Sequence, residues 1–544
     1  MNKTILYVII SLCFIAWVVW GAFPLMSYES DSMRLINGVV IMHNTNSGLP
    51  PTLSYQYNMQ PLVSAILLGI KHTVPGWGVE HVYAFLSALM SVVFFFLSVE
   101  FVRMVTRTER LVVMLCLFLL PESFAVATYP NTAVFSAVFF LVGMIALWKD
   151  KLWLAAMGLC LAPLFRYDVL MVYPAVFGLF LVKGDGLTPS LKKSVAWALA
   201  VIALMWLGCL LLKTNPLQTI TDLNANGTVV RYQAVVPYVI LSFYTIVNIV
   251  LLPWAIARSV AGKQWALLLM ALVPMLLLHL AYAKQGTAAK HYLYLLPFIT
   301  ILTAPLVSAI LQRRYGLWCK YLFVVGIIIY NLLSVRASLP KSDRPPLDTK
   351  QWMNQPDATS NIGPVRTLAT ENLTPLHLRF GIGAGQVVAT ADERMLFTGN
   401  LFYPFYIHRF KTRWNSQVDH VVEWLHGKGD CLLCSGSIDA LSAYANRWLE
   451  KGAELEYSEH EDAGNILNVY DMKENGRRIL FLHERTTADK EILRRLIHKA
   501  SGIRKGKFYV VTLHDFETFC AEKFVEEGWL KKETTNIYSL NATE

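Results

Sequence analysis

The sequence is short of charge. Of 544 residues only 16% are Asp, Glu, Lys or Arg, where a soluble globular chain carries about 25%. Mean hydropathy is correspondingly high, at +0.43. The deficit is uneven. From Ile5 to Val335 charges sit in short clusters between apolar runs, and after Lys341 they recur every few residues. A chain of this kind is not soluble throughout, and the shift marks a domain boundary. The eight cysteines show no metal-ligand spacing. The charged C-terminal part shows no glycine-rich phosphate loop and no nucleophile elbow, so acceptor binding or a scaffold role is expected of it. No internal repeat of the transporter kind is visible. The net charge of +10 comes with no arginine- and aromatic-rich recognition segment, so nucleic acid is excluded as a partner. The first hydrophobic segment, Ile5–Met26, lacks a small-residue cleavage site before Glu29 and reads as an uncleaved anchor.

What the sequence does have is a series of about eleven apolar runs, each read as a membrane span: Ile5–Met26, His81–Phe101, Leu111–Thr128, Thr132–Trp148, Leu152–Phe165, Val169–Val182, Ala196–Leu212, Val235–Ile256, Trp265–Ala283, Tyr292–Leu311 and Tyr321–Val335. With a cytoplasmic N-terminus, the basic clusters fall on one face: Arg103, Arg107 and Arg110; Lys149 and Lys151; Lys183, Lys192 and Lys193; Arg258 and Lys263; Arg313, Arg314 and Lys320. That is the positive-inside pattern. An odd number of spans places everything after residue 336 outside the cytoplasm. The expected location is the plasma (inner) membrane.

Leu152–Phe165 and Val169–Val182 are too short to be ordinary spans. Arg166-Tyr167-Asp168 lies between them. Lysines on both sides argue against one long span, so the expectation is a hairpin of incomplete helices whose tip lines a wet cavity. A charge at the bilayer centre costs roughly 2.5–3.5 kcal/mol on insertion scales, which such a tip avoids. A local salt bridge at a loop is the ordinary alternative.

The polar linker at residues 337–346 contains Leu339-Pro340-Lys341 and Pro345-Pro346. Residues 347–544 read as a soluble α/β domain, because strand-like runs alternate with helical ones. Candidate strands are Val365–Ala369, Gln386–Ala391, Asp430–Ser435, Ile466–Tyr470, Arg478–Leu482 and Phe508–Thr512. Candidate helices are Gln417–Leu425, Ser437–Glu450, Lys490–Lys499 and Phe516–Glu527. Cys431 and Cys434 fall on opposite faces of one strand and cannot bridge there. The sequons at Asn226, Asn372 and Asn541 fall on the outer side.

Four segments share that outer face. They are Ser27-Tyr28-Glu29-Ser30-Asp31-Ser32 after the first span, and Tyr55-Gln56-Tyr57-Asn58-Met59-Gln60-Pro61 continuing through Leu62–Lys71. The others are the turn Pro130-Asn131, and Lys290-His291-Tyr292-Leu293-Tyr294-Leu295-Leu296-Pro297 opening a late span. In this order the segments resemble the GT-C superfamily of integral-membrane glycosyltransferases, over residues 5–335. The closest types use a polyprenyl-phosphate sugar, as aminoarabinose transferase and protein O-mannosyltransferases do. The chain departs from the pattern twice. The usual adjacent acidic pair is split by Ser30, and Asn131 stands where Pro-Asp is common. The expected fold is therefore an α-helical polytopic membrane domain of GT-C type, residues 1–336, followed by the α/β domain.

Sugar transfer from a lipid phosphate to a hydroxyl needs a carboxylate to accept the proton. It also needs cations to hold the phosphate as charge builds on it. The outer face offers Asp31 and Glu29 for the first task, and Arg166, Lys290 and His291 for the second. Tyr57, Glu122 and Asn131 are supporting candidates. Each has an ordinary structural explanation as well. The acids serve as hydrated loop residues, Lys290 and His291 as interfacial anchors, Tyr57 as a member of the aromatic belt, and Glu122 as a partner for backbone freed by Pro121. The expected partners are a polyprenyl-phosphate-linked sugar donor, a lipid, glycan or protein acceptor, and membrane lipids. No cofactor is called for, and a divalent metal is left open. The competing functions are a transporter or flippase of lipid-linked sugars and a non-catalytic assembly protein on the same scaffold.

Overall fold

The computed structural model describes residues 3–27, 30–45, 60–120, 122–128, 130–215, 217, 248, 250–282, 289–312, 325–326, 337–339, 387–389, 394–396, 403–435, 438–462, 465–474, 477–483, 498, 506–511, 521–522 and 524–541. The apolar runs become helices. Helix α1 is Lys3–Ala22, α2 Ser30–Thr45, α3 Pro61–Thr73, α4 Val79–Thr106, α5 Arg110–Phe118 and α6 Glu122–Ala125. They are followed by α7 Thr132–Trp148, α8 Leu152–Phe165, α9 Pro174–Val182, α10 Leu187–Leu211, α11 Val250–Ala261, α12 Trp265–Tyr282 and α13 Leu296–Gln312. Among the described residues, four helices are long and apolar enough to cross a bilayer, and six shorter apolar ones accompany them. This is the build of a multi-pass membrane protein. The span expected at Tyr321–Val335, most of Val235–Ile256 and most of the linker at 337–346 lie outside the described residues.

Two expected spans are broken, each for a local reason. Leu111–Thr128 divides into α5, α6 and a 3-10 turn, Val126–Thr128. The break brackets Pro121, which has no amide hydrogen and disfavours helical backbone before it. At the hairpin, α8 ends at an extended Arg166 (φ −166°, ψ 126°). A 3-10 turn, Tyr167–Val172, leads into α9, which has Pro174 at its start. The two arms are only 14 and nine residues long, short of the ~20 a full span takes.

Close helix packing here uses small residues, as expected where lipid removes the hydrophobic drive between helices. A Cβ on Gly158 of α8 would sit 2.5 Å from the Gly143 nitrogen of α7, so neither position admits a side chain without separating the pair.

The segment 27–80 is not a simple loop. The Pro-led stretch forms α3, as its proline at the first helical position favours. Helix α2 was not expected. Met33, Ile36 and Val40 recur at helical spacing and are fully buried, and the acidic run at the start of α2 obscured that periodicity.

Beyond the linker, α14 (Tyr403–Leu425) and α15 (Ile438–Leu449) accompany a seven-stranded mixed sheet of order β5-β6-β7-β4-β8-β10-β9. Its strands are β4 Cys431–Ser435, β5 Glu454–Asp462, β6 Asn465–Glu474, β7 Arg477–His483, β8 Lys507–Val511, β9 Leu530–Thr534 and β10 Ile537–Leu540. β4 runs parallel to β7 and β8, and the remaining pairs are antiparallel. A small sheet joins β1 Ala337–Leu339, β3 Arg394–Leu396 and β2 Val387–Ala389. β5 and β9 were missed because they are the sheet's edges. They carry Glu454, Glu456, Glu459 and Glu461, or Lys531, Lys532 and Glu533, the charge that edges use to resist further pairing. The expected strand Val365–Ala369 and most of the expected helix Lys490–Lys499 lie outside the described residues. Cys431 is buried.

The C-terminal part rests on the membrane helices at their exposed ends. The last carbonyls of α1 lack intrahelical donors. His408 of α14 lies 2.7 Å from the Phe23 carbonyl and stacks on Trp20, and Lys411 donates to the Ala22 carbonyl at 2.5 Å. At the start of α4 the Val79 amide donates to Glu450 at 2.8 Å, while the same carboxylate pairs with Lys71 at 2.7 Å. Bases meet the negative end of one helix dipole and an acid meets the positive end of the other.

Lys411 is fully buried at this seam. Burial pulls its ammonium down to about 7 from an ordinary 10.5, with Glu80 opposing the shift. Between these two values the unfolded chain holds a proton that the folded chain has released, so folded stability should rise with pH across that window and be flat below it. Thermal unfolding of the full chain in detergent from pH 6 to 10 measures this. Lys411→Met should abolish the rise, and an unchanged slope in that variant would assign it to another group.

Candidate functional site

The site assembles around the start of α7. Asn131 caps that helix, its side-chain oxygen accepting from the Ala133 amide at 2.9 Å, while its own amide donates to Ser87 Oγ at 3.1 Å. Asparagine and aspartate are equally good N-caps, so the departure at residue 131 leaves the local fold intact and removes only a charge. The Nδ2 of Asn131 is buried with no partner among the described residues. One residue earlier, the Pro130 carbonyl accepts from Ser32 Oγ at 2.7 Å. The acid-bearing start of α2 and the turn before α7, far apart in sequence, are thereby brought into direct contact.

From α7 a polar circuit runs through the hairpin tip. Arg166 Nη1 approaches Thr132 Oγ1 at 3.5 Å, and Arg166 Nε pairs with Asp168 Oδ2 at 2.6 Å. The other oxygen of Asp168 accepts from the Tyr294 hydroxyl at 2.7 Å. That hydroxyl is also 2.8 Å from Ser136 Oγ, one turn beyond Thr132 on α7. The ring Thr132, Arg166, Asp168, Tyr294 and Ser136 begins and ends on α7 and is closed by the helix between Thr132 and Ser136. Arg166, Thr132, Ser136 and Tyr294 are all buried. Buried charge is tolerated only when paired and hydrogen-bonded, and here both conditions hold.

The expected site residues fall as follows. Asp31 lies in the first turn of α2, where the helix dipole favours a negative side chain. Glu29 and Tyr57 lie outside the described residues. Glu122 begins the short helix α6. Lys290 and His291 belong to a 3-10 turn, Ala289–Leu295, whose Tyr294 is part of the ring. Arg166 is held by Asp168, which is the local ion pair named above as its ordinary explanation. Residues from all but the Tyr55–Pro61 stretch therefore meet: Ser32, Pro130 to Thr132, Arg166 to Asp168, and Tyr294. Sequence reading missed the ring's partners Thr132 and Ser136. Asp168 was visible as the counter-charge beside Arg166, whereas Ser136 looks like any small residue in an apolar helix.

Among the described residues no three His, Cys, Asp or Glu side chains converge on a metal position. His43 and His72 approach each other, with their Nδ1 atoms 3.2 Å apart.

No protein-family model matches the sequence, and no curated protein does. Solved structures do match. The crystal structure of ArnT from Cupriavidus metallidurans bound to undecaprenyl phosphate aligns at a TM-score of 0.51 and 12% identity, over 99% of this chain and 98% of that one. The chain has the fold of lipid-bound ArnT. ArnT is an aminoarabinose transferase. A crystal structure of the same protein in the apo state aligns at a TM-score of 0.41 and 14% identity, over 82% and 75% of the two chains. The likeness to lipid-bound ArnT extends past residue 335, where the sequence resemblance stops, and takes in the C-terminal part.

The ring predicts a ranking of stabilities. Asp168→Asn removes the carboxylate that neutralises Arg166 and should cost about 3–5 kcal/mol. Tyr294→Phe removes hydroxyl contacts alone and should cost roughly 1–2 kcal/mol. Denaturant or thermal unfolding in detergent should show Asp168→Asn as clearly the weaker protein. Equal stabilities would mean that the pair is not held as described.

Proposed function

We propose that this protein is a glycosyltransferase that moves a sugar from a polyprenyl-phosphate donor to an acceptor hydroxyl at the outer face of the plasma membrane. The observation that carries the proposal is the meeting of the start of α2, the Pro130-Asn131 turn, the Arg166 hairpin tip and the Tyr294 segment on a GT-C fold. A transporter would be expected to place its polar groups along a path through the bilayer, whereas these collect at one end. The N-terminus is then cytoplasmic and the C-terminal domain, residues 347–544, extracytoplasmic.

In this reading the acceptor oxygen attacks the anomeric carbon as the bond to the phosphate oxygen breaks. A single displacement inverts that carbon. Asp31 takes the hydroxyl proton, with Glu29 as the second choice, and the leaving group is the polyprenyl phosphate. Lys290 and His291 offer positive charge to that phosphate beside the ring. Arg166 joins them if Asp168 yields it. The short Arg166–Asp168 pair favours a second reading for this one residue, in which it braces the hairpin and the phosphate is held by Lys290 and His291. The acceptor is a cell-envelope lipid, glycan or protein.

Two sets of variants test this. In the purified, membrane-inserted protein, Asp31→Asn should lower transfer ~10²–10⁴-fold. Near-normal transfer in Asp31→Asn with collapse in Glu29→Gln would give the role to Glu29, and normal transfer in both would contradict the enzymatic reading. Lys290→Ala should weaken binding of a labelled polyprenyl-phosphate sugar, and Arg166→Ala should do so only if the arginine leaves Asp168. Wild-type binding by both variants would place the donor elsewhere.

A further inference from the structure

We infer that the C-terminal part of the chain holds Ser27, at the head of the acidic run that leads into α2, through a single buried carboxylate, Glu80, and that Glu80 and Arg447 are positioning residues. The role assigned to that run rests on the proposed function, but the contacts do not. Glu80 lies in the first turn of α4 and is 2% exposed. One of its oxygens accepts from the Ser27 backbone amide at 2.7 Å, and the other pairs with Arg447 Nη1 of α15 at 2.6 Å. One carboxylate thus links the last residue before Tyr28 to the C-terminal helix pair.

The guanidinium is itself held fast. Its Nε donates to Asp419 at 3.0 Å and its Nη2 to Asn415 at 2.5 Å, both on α14. The Asp419 carboxylate is half-exposed, with 53% side-chain exposure, so that contact orients the arginine and adds little energy. The Glu80 contact is the buried one, where loss of a partner leaves an uncompensated charge. Helix α15 also fixes the body of α2. Asn446 Nδ2 donates to Asn37 Oδ1 at 3.0 Å in a buried contact, and Asn44 Nδ2 donates to the Leu449 carbonyl at 3.0 Å. On the far side of the run, Ser32 is tied to Pro130. Residues 27 and 32 are therefore fixed points, and the first of them depends on a residue more than 400 positions away in the chain. A separate scaffold or acceptor-binding module would not need an arginine paired with a buried carboxylate of a membrane helix.

The test is amide hydrogen exchange on the full chain in detergent or nanodiscs, alongside sugar transfer. In Arg447→Met and in Glu80→Leu, exchange at Ser27 and the peptide through Ser32 should rise about tenfold or more, as for a locally opened segment, while α7 and α8 exchange as in wild type. Glu80→Gln keeps an acceptor for the Ser27 amide and should protect it better than Glu80→Leu. With the run loosened, kcat should fall at least about tenfold with little change in KM for the lipid donor, as when an interaction specific to the transition state is lost. Wild-type exchange at Ser27 in both Arg447→Met and Glu80→Leu overturns the inference. So does faster exchange with unchanged transfer. Lost transfer with unchanged exchange overturns it as well while leaving the proposed chemistry standing. A wild-type chain that transfers no sugar fails the proposed function instead, and the Ser27 exchange still decides the clamp.

Discussion

A helix that ends at the rim of a bilayer presents backbone groups with no intrahelical partner, and hydrocarbon cannot supply one. In this protein that constraint falls on the end of α1 and the start of α4, the two helices that bracket the segment 27–80. Both ends are completed by the C-terminal part: His408 and Lys411 at the carbonyls of α1, and Glu450 at the first amide of α4. Glu450 also places an acid at the positive end of the α4 dipole. The C-terminal part thus meets both helix ends, and its α15 also contacts α2 where Asn446 donates to Asn37 and the Leu449 carbonyl accepts from Asn44.

The same rule governs the interior. Arg166 would be costly at the tip of an incomplete hairpin, and Asp168, two residues on, makes it tolerable by pairing at 2.6 Å. Tyr294 then satisfies the second oxygen of Asp168, and Ser136 meets Tyr294. Each polar group draws in the next, beside apolar packing in which Phe135 and Phe139 of α7 stack on Phe165 of α8. Capping accounts for the side-chain oxygen of Asn131. Where an aspartate would add charge to the site, the asparagine supplies the same helix start and leaves Asp31 and Glu29 as the acids close to the first span.

Much of the helical framework was legible because it depends on local patterns. The bounds of α7 and α8 agree with the apolar runs that predict them, since basic turns and a tight Pro130-Asn131 turn punctuate both ends. The hairpin was readable from run length and three polar residues. Helix α2 was not, because its buried face follows directly on an acidic run that reads as loop. Strands β5 and β9 were hidden by the charge that suits an edge. The ion pairs of the seam were beyond reach altogether. Nothing near Arg447 in sequence signals Glu80, and Glu80 itself looks like a flank of the span that follows. Long-range pairing of this kind is set by how the two parts fit together, and no local spacing encodes it.

The central claim is that the ring on α7 and the adjoining start of α2 form the wall of a polyprenyl-phosphate site. A cryo-electron microscopy structure of the full chain with an undecaprenyl-phosphate sugar analogue tests it directly. The account predicts the phosphate within hydrogen-bonding distance of Lys290, His291 or Arg166, with the sugar facing Asp31 and the lipid tail leaving between the helices toward hydrocarbon. A phosphate bound at the opposite end of the bundle, near Lys149 and Lys183, would contradict it.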